Sequence, residues 1–208
     1  MALIKNAKGR GEDETPSGYQ RLFGNKQLGN LISKVHATVI STGNNLEDIL
    51  ASKLKNTDGI SIQNINKPKR VFTNIKSGHT INIDCVIETK NKIMLIEIKD
   101  GDTFDTKKVA GEFESLVLVQ NFLKRTTKKD VIIHFCSFNA TSHQQIEKGA
   151  KSLLDEGMAM TGKELCDLLE LDFDEIVKER ESEQEENFNY FIDKLIEIPE
   201  VKEKVKTI

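Results

Sequence analysis

The sequence predicts an α/β fold, a central mixed β-sheet flanked by helices and followed by a helical C-terminal extension. Three observations carry this expectation. Apolar residues recur at helical spacing between Leu28 and Leu54. From Val71 the period drops to two, and the runs Lys92–Lys99 and Val131–Phe138 are apolar almost throughout, as strands buried on both faces are. A helical segment, Glu112–Lys124, separates those two runs. Strand, helix and strand in succession imply a right-handed crossover and a parallel pair.

Each element has its own local reason. Residues 1–25 are polar, contain Gly and show no period, so they read as an irregular N-terminal arm. Leu28, Leu31, Ile32, Val35 and Val39 step along one helix face. Gly43 interrupts that helix, and Asn44 or Asn45 can cap a second one carrying Leu46, Ile49, Leu50 and Leu54. Residues 57–70 are loop-like or short strands (Ile60 and Ile62 alternate with polar neighbours) and end in Lys67-Pro-Lys-Arg70. Val71, Thr73 and Ile75 alternate, as do Ile81, Ile83, Cys85 and Ile87. Thr89-Lys-Asn-Lys92 suits a tight turn in which Asn91 tolerates a left-handed conformation. In Glu112–Lys124, Phe113, Leu116, Val117 and Leu123 share a face that Gln120 interrupts.

Beyond Ala140 the pattern is helical throughout. It gives one helix over 144–156, a second begun by the capping box Thr161-Gly-Lys-Glu164, and a long acidic one from Phe173 to about Ile198, stopped by Pro199. The buried stripe expected for the last is Phe188, Phe191, Ile192, Leu195 and Ile196. The chain therefore divides into an arm at 1–25, a core at 26–140 and a helical extension at 141–208.

Composition bounds the function. Hydrophobic residues at 38%, charged ones at 30%, 13 Gly and three Pro exclude disordered and collagen-like chains. No apolar stretch approaches the roughly 20 residues of a membrane span, and the N-terminus has no apolar signal-peptide core. Cys85, Cys136 and Cys166 are odd in number and form no CxxC, which disfavours disulfides and zinc. These features point to a soluble, cytoplasmic protein with no membrane partner. The net charge of −3 conceals an asymmetry: residues 1–150 carry 22 basic and 16 acidic groups, residues 151–208 only 8 and 17. Basic clusters at Lys67, Lys69, Arg70 and at Lys124, Arg125, Lys128, Lys129 can meet phosphates.

The chemistry concentrates at Asp84, Glu97 and Lys99. A two-residue turn at Lys90-Asn91 pairs residues whose numbers sum to 181, setting Asp84 opposite Glu97. Opposed carboxylates lie roughly 5 Å apart at Cβ and repel unless something positive intervenes. Glu97 and Lys99, two apart, face the same way. Four acid-x-Lys triplets occur (Glu88–Lys90, Glu97–Lys99, Asp105–Lys107, Glu200–Lys202), but only the second lies in an apolar strand with an acid opposite. Two hard oxygen ligands suit Mg²⁺, which keeps waters and substrate phosphates in its remaining positions. A lysine beside it can position or deprotonate the attacking water.

Ile83-Asp84…Glu97-Ile-Lys99 resembles the signature of the PD-(D/E)XK nuclease superfamily, with Ile83 where the signature has proline. The segment Leu95–Lys108 resembles, more narrowly, type II restriction endonucleases. The motif match covers residues 81–108, and the order of elements, α-β-β-α-β, extends loosely from 44 to 138. This resemblance implies Asp84, Glu97 and the Ile98 carbonyl as metal ligands, Lys99 as the catalytic lysine and Glu47, on the first core helix, as a further acid near the metal. A helix-start position also explains Glu47 through the helix dipole. Lys107 and Lys108 join Lys67, Lys69 and Arg70 as candidate contacts to DNA phosphates. Asp100, Asp102 and Asp105 can add oxygen ligands, but acids in a Gly-containing loop are more often turn formers.

The implied activity is Mg²⁺-dependent cleavage of double-stranded DNA (Mn²⁺ as a substitute), sequence-specific and leaving 5′-phosphate ends, by a homodimer. The alternatives are a structure-selective repair or recombination nuclease and a non-catalytic DNA-binding protein on a nuclease-like fold. No nucleotide cofactor is expected. Gly157–Lys163 nearly spells a phosphate-binding loop, but Glu164 stands where Ser or Thr is needed and would repel phosphate.

Overall fold

The structure is a computed structural model that describes residues 3–10, 16–56, 58–62, 71–73, 78, 80–101, 106–150, 153–155 and 157–207; the side chains of residues 71, 73, 106 and 107 also lie outside the description. Ile75, Asp102, Asp105 and the cluster Lys67, Lys69, Arg70 fall outside it, as does the side chain of Lys107. After a short 3-10 turn at Ile4–Asn6 come α1 (Gly18–Phe23), α2 (Lys26–Lys53), β1 (Ile60–Ile62), β2 (Val71–Thr73), β3 (Thr80–Asn82), β4 (Cys85–Glu88) and β5 (Lys92–Lys99). There follow α3 (Thr106–Thr126), β6 (Asp130–Ser137), α4 (His143–Gly149), β7 (Ala159–Thr161), α5 (Gly162–Leu168), α6 (Phe173–Glu197) and α7 (Pro199–Lys206). The chain forms two compact units, one of Leu46–Phe173 and one of Met1–Asn45 with Asp174–Ile208.

The first of these is the α/β unit. Its five-stranded mixed sheet runs β1-β4-β5-β6-β7, antiparallel as far as β5 and parallel beyond it, with β2 and β3 as a separate hairpin. Central β5 is buried from Ile93 to Ile98, as its apolar run requires. Ile93 and Leu95 share a core cluster with Val86, Val131 and Ile133, covered by Leu116 and Val119 of α3. Gln120, the polar break in the α3 face, donates a 2.8 Å hydrogen bond to the Val131 carbonyl. The hairpin register matches the expected sum, with Cys85 opposite Ile96 and Glu88 opposite Ile93.

Several expectations are corrected. α2 is one helix that passes through Gly43 without a break. A mid-helix glycine costs only about 1 kcal/mol relative to alanine, which an amphipathic face recovers by packing. The region beyond Ala140 is not wholly helical, because β7 pairs in parallel with Phe135–Ser137. β7 and α5 belong to the same compact unit as the rest of the sheet, Leu46–Phe173. The helix expected over 144–156 ends at Gly149, where the Ala150 N–H closes on the Ile146 carbonyl. Thr161 and Glu164 do form the capping box that starts α5. Gly162 is required there, since a Cβ would lie 2.2 Å from the Phe138 carbonyl oxygen.

The other unit is helical. The N-terminal segment is not irregular throughout: Ser17 and Gln20 make a capping box for α1, which Gly24 closes at φ 61°. Ile4 donates its N–H to Asn187 Oδ1 of α6 at 2.7 Å. Pro199 ends α6 and sits at the first position of α7, where a missing N–H costs nothing. The stripe expected to be buried on α6 is partly outside: Phe188 is 65% exposed and Ile196 49%. No helix among the described residues is long and apolar enough to cross a membrane.

Candidate active site

The ladder between β4 and β5 ends at Cys85 opposite Ile96, and the next two residues, Asp84 and Glu97, are the carboxylates. Asp84 stands at a bend just before β4, and its Oδ2 accepts a 2.9 Å hydrogen bond from the Ile98 N–H. The N–H and C=O of one strand residue face the same neighbour. The Ile98 carbonyl is therefore turned toward the Asp84 side, where the ladder has stopped. Glu97 continues the inward series Ile93, Leu95 and is itself only 6% exposed. Lys99, two residues on, donates from Nζ to Glu97 Oε1 at 2.6 Å.

Two acids join from the flanking helices. Glu47 of α2 is buried and close enough to raise the Asp84 carboxyl. It is far from the start of the uninterrupted α2, so the helix dipole does not account for it. Glu112 of α3 accepts a second hydrogen bond from Lys99 Nζ, at 2.8 Å to its Oε1. Glu112 is not among the site residues expected from the sequence. Its signal was an acid in register with an apolar stripe, since Val109, Leu116 and Val119 bury the same side of α3.

The electrostatics follow from buried acids beside one ammonium: Glu47 acts on Asp84, while Glu97 and Glu112 hold Lys99. Burial, then Glu47, pushes Asp84 up to about 6, against the Ile98 N–H and Lys99. Burial, then Asp84, pushes Glu97 up to about 8 despite Lys99. Burial alone would lower Lys99, but Glu97 and Glu112 outweigh it and hold the amine above its ordinary value. Cys85 is driven to about 12 by burial and the neighbouring acids, which leaves it an inert thiol.

This arrangement suits a hard dication. The donors are carboxylate oxygens with a backbone carbonyl beside them, and burial beside other acids raises both Asp84 and Glu97, a cost that a dication would offset. No group of three or more His, Cys, Asp or Glu among the described residues makes a ready-formed metal cage. A cation held by one or two carboxylates, with waters and substrate oxygens completing its shell, needs none. Of the candidate phosphate contacts, Lys108 lies 3.8 Å from Glu112 Oε1 with its side chain 71% exposed. Lys129 is bound to Glu88 Oε1 and the Thr89 carbonyl, each at 2.7 Å, and so ties down the β4–β5 turn.

No family model matches this chain, and no solved structure does. Over 226 aligned positions, covering 99% of both chains, it is 35% identical to the type II restriction enzyme HhaII of Haemophilus parahaemolyticus. With likeness of that degree over the whole length, the chain belongs to the type II restriction enzymes.

Proposed function

We propose that this protein is a Mg²⁺-dependent endonuclease of the PD-(D/E)XK type that cuts double-stranded DNA at a specific sequence, leaving 5′-phosphate and 3′-hydroxyl ends. The observation that carries this is the hairpin register, which stops its ladder one residue short of Asp84 and Glu97 and leaves both acids beside Lys99. Asp84, Glu97 and the Ile98 carbonyl would hold the cation, with Glu47 behind them. Bound there, Mg²⁺ would polarise the scissile phosphate and acidify a water.

The chain's own groups do the rest. Lys99, kept as an ammonium by its two carboxylates, orients the attacking water and faces the negative charge growing on the phosphate. It is a donor in this state, so it positions the water rather than taking its proton. Lys107 and Lys108, with Lys67, Lys69 and Arg70, are the proposed phosphate contacts that fix the duplex without reading bases.

Two strands need two sites, and this chain supplies one, so the working form is a homodimer with two-fold symmetry. The face that would meet the second copy is the exposed apolar stripe of α6, Phe188, Ile192 and Ile196. The test is incubation of plasmid, phage and branched DNA with the protein and Mg²⁺, with EDTA as control. Discrete fragments from duplex DNA, absent in EDTA, support the reading. Cutting confined to branched DNA, or no cutting of any substrate, overturns it.

A further inference from the structure

The geometry points to Glu112 as a positioning residue that keeps Lys99 in place when Glu97 is given over to the cation. The inference rests on the active-site reading above and deepens it.

Glu97 is asked to do two things. It accepts a 2.6 Å hydrogen bond from Lys99 Nζ, and the same carboxylate is the proposed metal ligand. An ammonium and a dication on one carboxylate repel, so cation binding must weaken the Lys99–Glu97 contact. A lysine is a point charge on a flexible four-carbon stem, and left without a partner it either swings away or competes with the metal for Glu97. Glu112 removes that choice. Its Oε1 takes a second Lys99 N–H at 2.8 Å from a different element, α3 rather than β5. That contact survives when Glu97 is withdrawn. Its other oxygen, Oε2, is buried with no hydrogen-bond partner among the described residues, so Glu112 is not held there by competing bonds. Lys108, at 3.8 Å, is beyond hydrogen-bond distance.

The helix makes the anchor stiff. Glu112 is one turn before Leu116 and one after Val109, and both are almost fully buried. The carboxylate therefore sits on the packed side of α3. Lys99 on its side is fixed in the central strand, with its carbonyl accepting from the Phe138 N–H at 2.8 Å. The ammonium is thus suspended between a strand and a helix, and only one of its two anchors is a proposed metal ligand.

The test is a coupling between Glu112 and Lys99 in metal binding, measured on the DNA-free protein by calorimetric titration with Mn²⁺. Glu112→Leu is expected to weaken Mn²⁺ by about 10- to 100-fold, the usual effect of losing a partner of a ligand. In a Lys99→Ala background, where no ammonium competes for Glu97, the same change is expected to cost only the small share owed to lost charge. Steady-state cleavage is expected to show kcat reduced with KM for DNA unchanged, and Glu112→Gln, which keeps an acceptor for Lys99, to recover most of it. Glu112→Ala, which also removes the acceptor, serves for the titration if the leucine variant unfolds early. Equal losses in both backgrounds, or no loss, overturn the inference and make Glu112 a plain surface-field acid. If Asp84→Asn and Glu97→Gln bind Mn²⁺ as the unaltered protein does, it is the active-site reading that fails instead.

Discussion

Asp84 Oδ2 lies 2.9 Å from the backbone nitrogen of Ile98, one residue past the position facing it across the hairpin. The bond holds one carboxylate oxygen against β5, and it can form only because the β4 ladder ends at Cys85 and frees the Ile98 N–H. Asp84→Asn is nearly isosteric but lacks the negative oxygen for a cation. Its expected outcome is a loss of about 10²-fold or more in kcat, the scale for removing one preorganised electrostatic group, with melting temperature maintained. Single-turnover cleavage and thermal denaturation together check it.

The crowding of acids predicts how the metal-free protein responds to pH. Asp84 and Glu97 titrate near 6 and 8 in the fold, against roughly 4 in the unfolded chain. Between those values the native state holds more protons than the unfolded one, so stability falls as pH rises from about 4 to 8. Denaturation in EDTA should therefore show a lower midpoint at pH 8 than at pH 6, and Glu97→Gln should flatten that slope and stabilise the protein at pH 8. Added Mg²⁺ should restore stability at the higher pH by binding only the folded form.

The hairpin geometry of the candidate site could be read from the chain because a hairpin is a local object. A two-residue turn at Lys90-Asn91 fixes every cross-strand pair, so the opposition of Asp84 and Glu97 follows from counting. The parallel pairing of β5 with β6 was likewise legible in two apolar runs and the helix between them. Glu112 was not, because its nearness to Lys99 depends on how α3 packs on the sheet, and an acid three residues after Val109 looks like an ordinary helix residue. β7 escaped for a different reason: Ala159–Thr161 is three residues long, and its pairing with β6 has no local period. Gly43 misled because propensity is a weak force beside the packing of a 28-residue helix. On α6, the apolar stripe was visible, but a stripe does not say whether it faces its own chain or another.

That stripe carries its own prediction. Phe188→Glu on the exposed face of α6 should leave the monomer folded, since the side chain is already 65% exposed. It should weaken self-association by about 100-fold or more, roughly 3 kcal/mol, through the loss of buried apolar area and a charge at the seam. Sedimentation equilibrium measures this directly, and an unchanged dimer would place the interface elsewhere.

The approach of α5 to β6 predicts a packing cost unrelated to chemistry. A methyl at Gly162 would sit 2.2 Å from the Phe138 carbonyl oxygen and 2.8 Å from its Cα. Backbone cannot yield as a side-chain tip can, so Gly162→Ala should destabilise by about 3 kcal/mol, the upper range for overpacking. Urea denaturation should show a lower midpoint with an unchanged slope.

The most direct test of the central claim is single-turnover cleavage of duplex DNA by Lys99→Ala, with DNA binding followed separately in Ca²⁺. The expected result is binding close to that of the unaltered protein with a cleavage rate lower by about 10²- to 10³-fold. Cleavage that proceeds at the normal rate without Lys99 would contradict it and move the active site away from the end of β5.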